Sequence, residues 1–236
     1  DLPYLSDTLL HLTTDGAAPG TLAHVSLLLA QHLGKDLNGT DAQKVFTDIE
    51  MPLVPVLAQM ELYGVRLDTT ALADVSTTFN ARLNDIEQEI YTLAGESFNI
   101  ASPKQVGEIL FGKMQLVEKP KKTKTGQYVT SEEVLQQLAH QHPIVQKILQ
   151  HRGLKKLLGT YVDALPLLTD ARSHLHTTFN QAVTATGRLS SSNPNLQNIP
   201  VRGDDGKEIR RCFVPDEGCR FFSADYSQIE LRVMAH

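Results

Sequence analysis

The sequence predicts an α+β fold, mostly helical, in which a run of helices is followed by the first strands of a sheet. Three observations carry that expectation. Apolar residues recur at three- and four-residue spacing through the first part of the chain, most regularly at Leu72, Val75, Phe79, Leu83, Ile86, Ile90 and Leu93. Near residue 171 the period drops to two, with Leu175, Thr177 and Phe179 alternating with His174, His176 and Thr178. Last, an apolar run at 221–224 stops at Asp225 and gives way to helical spacing through Ile229, Leu231, Val233 and Met234.

In chain order, Leu22, Val25, Leu28 and Leu29 predict a helix closed by Gly34, after a loop at 13–20 rich in Gly, Pro and small residues. Beyond Gly39 and Thr40 a second helix turns Phe46, Ile49, Leu53, Val56, Leu57 and Met60 inward. Pro52 and Pro55 interrupt it, and Gly64 stops it. The segment 69–94 is the strongest helix, with Asn84, Glu87 and Glu89 on its polar face and Gly95 at its end; its stripe reads as packing.

Ser102-Pro103-Lys104-Gln105 predicts a capping box with proline in the first turn, and Thr130 with Glu133 predicts another. Between them Lys113, Lys119, Lys121, Lys122 and Lys124 crowd into a loop with Pro120 and Gly126. Such a tip is either simply solvated or set against a phosphate backbone. Pro143 opens a long helix with Ile144, Ile148, Leu149, Leu157 and Tyr161 on its apolar side, and Arg152, Lys155 and Lys156 form a basic stripe along it. His174 and His176 have a spacing that could ligate a metal. With no further Cys or His cluster to join them, a solvent-facing pair on a strand is expected.

Composition narrows the class of protein. A chain of 236 residues, 41% apolar and 21% charged, can bury one large core or two small ones. The two cysteines, Cys212 and Cys219, are too few to staple a fold and point to a reducing compartment. No apolar run approaches the roughly 20 residues of a membrane span, and no basic-then-apolar signal opens the chain, so a cytoplasmic location is expected. At a net charge of −5, any contact with nucleic acid must come from local basic patches.

Two segments carry chemistry. TATGRLSSSNPNLQNIP at 184–200 is packed with hydroxyls, amides and one arginine and has little to bury. It is either a polar surface loop or a set of donors awaiting a partner, and Arg, Asn and Gln are the side chains that reach base edges and sugar–phosphate oxygens. FFSADYSQIELRVMAH at 221–236 reads as a buried strand ending in Asp225 and followed by a helix. A carboxylate at a strand exit can hold a hard cation such as Mg²⁺, or it can cap the helix.

Together the two segments closely resemble the motifs of family A DNA polymerases. The resemblance extends back through Gln150-His151-Arg152-Gly153-Leu154 and Ile49-Glu50-Met51-Pro52-Leu53 to Asp48, about four-fifths of the chain. It implies a C-terminal remnant resembling a 3′–5′ exonuclease domain at 1–40, a thumb at 41–170 and the N-terminal part of a palm at 171–236. It further implies template-directed nucleotidyl transfer on primer–template DNA with deoxynucleoside triphosphates.

Asp225 matches the aspartate that binds both catalytic Mg²⁺ ions, with the main-chain carbonyl of Tyr226 completing one ion's shell. Gln228 and Ile229 match residues lining the nucleotide's phosphates and sugar, and Glu230 the glutamate that fills the space of a ribose 2′-hydroxyl. Arg188 matches the arginine in the minor groove at the primer terminus. Asn195, Gln197, Asn198 and Arg202 match template and duplex contacts. Arg152, Lys156 and Thr160, with Asn99, Ser102 and Lys104, match thumb contacts to the duplex.

Three departures accompany the match. Leu158-Gly159 stands where the family commonly has Lys-Ser, which puts two backbone contacts in doubt. The proofreading tyrosine and aspartate would fall near Gly20 and His24, so no proofreading site is expected. The fingers helix and the second catalytic aspartate would lie beyond His236 in a C-terminal palm and fingers portion, and one carboxylate cannot hold two metals. The chain alone is therefore expected to be inactive. The alternatives are a non-catalytic duplex-binding module or one half of a split polymerase.

Overall fold

The computed structural model describes residues 2–201 and 203–236 as two compact units, 1–62 and 63–236. The first is helical: α1 (Leu2–Leu10), α2 (Pro19–Leu37), α3 (Asp41–Val45), a π-helical turn (Phe46–Glu50) and α4 (Met51–Tyr63). Val25 and Leu29 are buried on α2, as the spacing predicts. Gly34 does not close that helix. It lies inside it in ordinary helical conformation, a placement that costs about 1 kcal/mol relative to Ala and is tolerated. The helix also begins at Pro19 and α1 ends at Leu10, so the preceding loop is 11–18 rather than 13–20.

The inward stripe expected between 46 and 60 is largely uncovered. Leu57 is buried and Leu53 half-buried, but Phe46, Ile49, Val56 and Met60 are all exposed. Periodicity marks which side chains share a face; only a neighbouring element buries that face. Pro55 sits within α4, and the wider π turn immediately precedes Pro52, whose missing N–H breaks the regular ladder. The helix stops at Tyr63, and Gly64 follows at φ +66.

The second unit is organised by α5 (Thr69–Ala94). The Asp68 carboxylate accepts from the Ala71 N–H at 2.9 Å to start it, and Gly95 at φ +74 ends it. Leu72, Phe79, Leu83 and Ile90 are buried along one stripe, as predicted. Against it packs α8 (Pro143–Leu157), opened by His142 and prolonged by a π turn (Leu158–Val162). Two residues assigned to the polar face of α5 reach α8 instead. Glu87 meets the buried His151 at 2.8 Å (Oε1 to Nε2), and Glu89 pairs with Lys147.

At the C-terminal end of α5, a second core cluster gathers α6 (Pro103–Gly107), a π turn (Glu108–Lys113) and α7 (Glu132–Leu138). Ser102 caps α6, but its glutamine partner departs from the capping-box pattern: Gln105 Oε1 accepts from the Asn99 N–H at 2.7 Å. The cap of α7 is Ser131 rather than Thr130. Thr130 is instead buried, because it receives the Arg152 side chain. Lys113 is not part of the lysine loop: its Nζ donates to the Ala94 carbonyl at 3.0 Å and to Glu96 at 2.8 Å.

The strands are short. β1 (Val65–Leu67) lies between β2 (His174–Leu175) and β5 (Phe213–Val214), antiparallel to both, with Arg66 opposite His174 on one side and Val214 on the other. β3 (Thr178–Asn180) pairs with β4 (Ser190–Ser192). The expected solvent-facing histidine pair is a misreading for His174, which is buried. Its ring nitrogens face the Arg172 carbonyl at 3.0 Å and Asp216 at 3.1 Å, while His176 approaches Asp170 at 3.4 Å. α9 (Asp204–Arg211) leads into β5, and α10 (Ile229–Ala235) closes the chain. Among the described residues no helix is long and apolar enough to cross a membrane.

The run at 221–224 forms no strand. It is exposed, with Phe222 92% accessible, and among the described residues no strand pairs with it.

Candidate functional site

The C-terminal part of α8 and the loop before α9 enclose an open groove of about 940 Å³. Lys156 and Thr160 line it from the helix, and Asn198 lines it from the loop. Arg82 borders it as well, held in a two-pronged pair with Asp205 at 2.5 and 3.3 Å. The groove thus gathers three of the sequence-predicted contacts, drawn from segments about 40 residues apart, at one polar surface that Glu132, Asp204 and Asp205 also line.

Arg152, one turn before Lys156, does not line this groove. Its guanidinium donates to the Thr130 carbonyl at 2.5 Å and to Thr130 Oγ1 at 3.3 Å, and burial lowers its pKa. The departure at Leu158-Gly159 has a structural counterpart: Leu158 is buried in the core, and a side chain at Gly159 would meet nothing within 4 Å.

The loop beside the groove is built from its own side chains. Asn195 Oδ1 accepts from the backbone N–H groups of Gln197 at 3.0 Å and Asn198 at 3.3 Å, an Asx turn. Gln197 Nε2 donates to the Leu189 carbonyl at 3.0 Å, drawing 197 back against 189. Leu196 and Ile199 pack into the core while Asn195, Gln197 and Asn198 stay exposed. Three residues that the sequence reading did not single out support this loop. Tyr161 donates its hydroxyl to the Asn198 carbonyl at 2.5 Å, and Thr177 and Ser191 meet beneath the loop at 2.6 Å. Tyr161 reads as one more apolar member of a helix stripe, and buried hydroxyls look like exposed ones in a sequence. Arg202 falls outside the described residues.

Arg188 is exposed, its Nη2 lying 3.5 Å from Glu230 Oε1. That contact joins the 184–200 segment to α10. Asp225 and Tyr226 are exposed ahead of the helix, and Gln228 occupies its N-cap position at φ +53 without a side-chain cap bond. Asp225 is therefore not the cap of α10. Ile229 and Glu230 form the helix's first turn.

The donors at 225–226 are oxygens, which suits Mg²⁺ better than a soft metal. They supply one carboxylate, and among the described residues no three His, Cys, Asp or Glu side chains converge on a metal position. Asn99, Ser102 and Lys104 sit together at the start of α6, with the second core cluster rather than the groove. There the Asn99 carboxamide oxygen accepts from the Ala101 N–H at 3.0 Å, and Lys104 lies 4.0 Å from Glu108.

The sequence pattern of DNA polymerase family A matches residues 69–236. The chain belongs to that family. It is 50% identical over 230 residues to DNA polymerase I of Synechocystis sp., covering 96% of this chain and 23% of that protein. To DNA polymerase I of Bacillus subtilis it is 50% identical over 210 residues, covering 88% of this chain and 24% of the relative. Among solved structures, the POL domain of Pol1 from M. smegmatis, in complex with DNA primer-template and dNTP, superposes with a TM-score of 0.86 at 39% identity. That match covers all 100% of this chain and 42% of the other. The chain thus spans about a quarter of the length of these family A relatives.

Proposed function

We propose that this chain is the duplex-gripping part of a template-directed DNA polymerase together with the first segment of its catalytic centre. The observation that carries the reading is the groove in which Lys156, Thr160 and Asn198 meet beside the Arg188 loop, in a chain of family A. In this reading residues 1–40 are an exonuclease-domain-like remnant, 41–170 the thumb and 171–236 the start of the palm. Primer–template DNA lies against the groove, and the salt-sensitive, sequence-independent part of binding comes from Lys156 and the lysine loop.

Arg188 donates to the minor-groove acceptors that every Watson–Crick pair presents, so it tests pair geometry rather than sequence. Asn195, Gln197 and Asn198 face the duplex, Arg202 keeps the duplex contact that the family resemblance implies, and Asn99, Ser102 and Lys104 contribute contacts from the start of α6. Gln228, Ile229 and Glu230 face the incoming deoxynucleoside triphosphate, with Glu230 excluding a ribose hydroxyl. Asp225 and the Tyr226 carbonyl would hold Mg²⁺, which when bound supplies the charge that stabilises phosphoryl transfer. In this reading a second carboxylate would be supplied by a C-terminal palm and fingers portion. We place the whole enzyme in the cytoplasm, in DNA replication and repair.

For the chain by itself, the single carboxylate at 225 favours duplex binding without catalysis. Primer extension measures this directly. The 236-residue chain of verified mass is expected to bind duplex and extend nothing, whereas a chimera carrying residues 63–236 in place of the matching segment of the Bacillus subtilis relative extends primers. In that chimera Asp225→Ala is expected to abolish nucleotide addition while duplex affinity stays within a few-fold. Near-normal turnover in Asp225→Ala, or extension by the chain alone, would overturn the assignment.

A further inference from the structure

The polar loop at 193–198 rests on two buried hydroxyls. Thr177 and Ser191 are 7% and 3% accessible, with their oxygens 2.6 Å apart. Thr177 Oγ1 also lies 2.8 Å from the Pro194 carbonyl and 3.1 Å from the Ser192 carbonyl, and Ser191 Oγ lies 3.3 Å from the Pro194 carbonyl. The Leu196 N–H donates to Ser191 Oγ at 3.1 Å. Of the two hydroxyl protons, one joins the pair and the other goes to a neighbouring carbonyl, while Ser191 Oγ takes a loop amide. Both protons are spent within the protein and both oxygens are buried, so the pair acts inward, on the backbone it holds. A third hydroxyl, that of Tyr161 beneath the groove, fixes the far end of the loop at the Asn198 carbonyl at 2.5 Å.

Between these anchors Leu196 is drawn toward the core and Ile199 is buried, which leaves Asn195, Gln197 and Asn198 facing outward. We propose that Thr177, Ser191 and Tyr161 are positioning residues that set the conformation in which the 193–198 loop meets duplex DNA. The inference rests on the reading of this loop as a duplex contact. Its physical content is pre-organisation: a loop already held in its bound shape loses less conformational freedom when the duplex arrives.

The test measures the affinity of the 236-residue chain for a labelled primer–template hairpin by fluorescence anisotropy, at a temperature where circular dichroism shows every variant folded. Thr177→Val keeps the shape and removes the hydroxyl; Thr177→Ser keeps the hydroxyl. Thr177→Val is expected to weaken binding roughly two- to tenfold, the scale of one net hydrogen bond, with Thr177→Ser restoring it and Tyr161→Phe weakening it by a similar factor. Amide exchange at Leu196 should quicken in Thr177→Val and not in Thr177→Ser.

A folded Thr177→Val chain that binds like the parent overturns the proposal, as does a Thr177→Ser chain as impaired as Thr177→Val. If Thr177→Val does not fold, Tyr161→Phe decides, and parental affinity there overturns it. Lys156→Ala separates the two levels of inference. Weakened binding in Lys156→Ala with unchanged binding in Thr177→Val and Tyr161→Phe removes the positioning role and leaves the groove reading standing. A parent chain that does not bind duplex removes both.

Discussion

Arg152 and Lys156 lie one turn apart on α8, and the structure predicts opposite consequences for removing them. Arg152→Ala takes away a charged donor from the Thr130 carbonyl at 2.5 Å and Thr130 Oγ1 at 3.3 Å. Thr130 is only 5% accessible, so water cannot replace that donor freely. Leaving a buried acceptor without its partner costs about 1–3 kcal/mol. Taking roughly 2 kcal/mol as the middle of that range, a unit of this size should melt about 4–8 °C lower. Duplex affinity of the folded variant should change little, because the guanidinium is turned inward.

Lys156 is exposed at the groove. Lys156→Ala should leave stability within about 0.5 kcal/mol, yet lower the slope of log affinity against log salt by about 0.9, one phosphate contact's worth of counterions. Thermal melts and anisotropy titrations between low and moderate salt measure both quantities on the same samples. An Arg152→Ala chain with parental melting temperature and a flattened salt slope would refute the reasoning, since it would show a guanidinium spent on phosphate rather than on Thr130.

Three further outcomes are expected. In the chimeric polymerase, Glu230→Ala should raise ribonucleotide relative to deoxyribonucleotide incorporation in single-turnover assays, and unchanged sugar selectivity would defeat the exclusion role. Gly64→Ala should lose at least about 1–2 kcal/mol in urea unfolding from left-handed backbone alone. The new Cβ would also stand 2.5 Å from the Leu175 carbonyl at φ +66, so a loss too small to measure would contradict the β1–β2 geometry. Asp170 is held well below the usual carboxylate range, chiefly by the His174 N–H and further by the Arg172 N–H and the His176 ring. A depressed folded-state value means that its contribution is complete above the unfolded pKa of about 3.9 and fades as pH falls below it. The stability difference between parent and Asp170→Asn should thus be constant from about pH 7 to 5 and close below about pH 4; a difference independent of pH throughout would contradict the assignment.

Much of the helical framework is legible in the sequence. The span of α5, its end at Gly95, its buried Leu72, Phe79, Leu83 and Ile90, and the Ser102 cap all follow from local periodicity and turn chemistry. Those signals depend on residues within one or two turns of each other, so a single segment contains them entire. The same locality explains the misreadings. The stripe on α4 marks a face without saying whether anything covers it, and the run at 221–224 has the composition of a strand but pairs with none among the described residues. Thr130 looked like a cap because Glu133 follows it, yet its oxygens answer Arg152, 22 residues later.

Sequence alone therefore determined the family, the order of its motifs, and which short segments carry amides, hydroxyls and the carboxylate at 225, because these are properties of chemical type and spacing along the chain. Tertiary structure alone decided what each side chain is used for. It turned Arg152 inward and Lys156 outward, gave Glu87 to His151 across two helices, and set Tyr161, Thr177 and Ser191 under a loop in which they have no obvious part by composition. The physical reason is that a hydrogen bond or a buried contact is fixed by distances of a few ångströms between residues tens of positions apart.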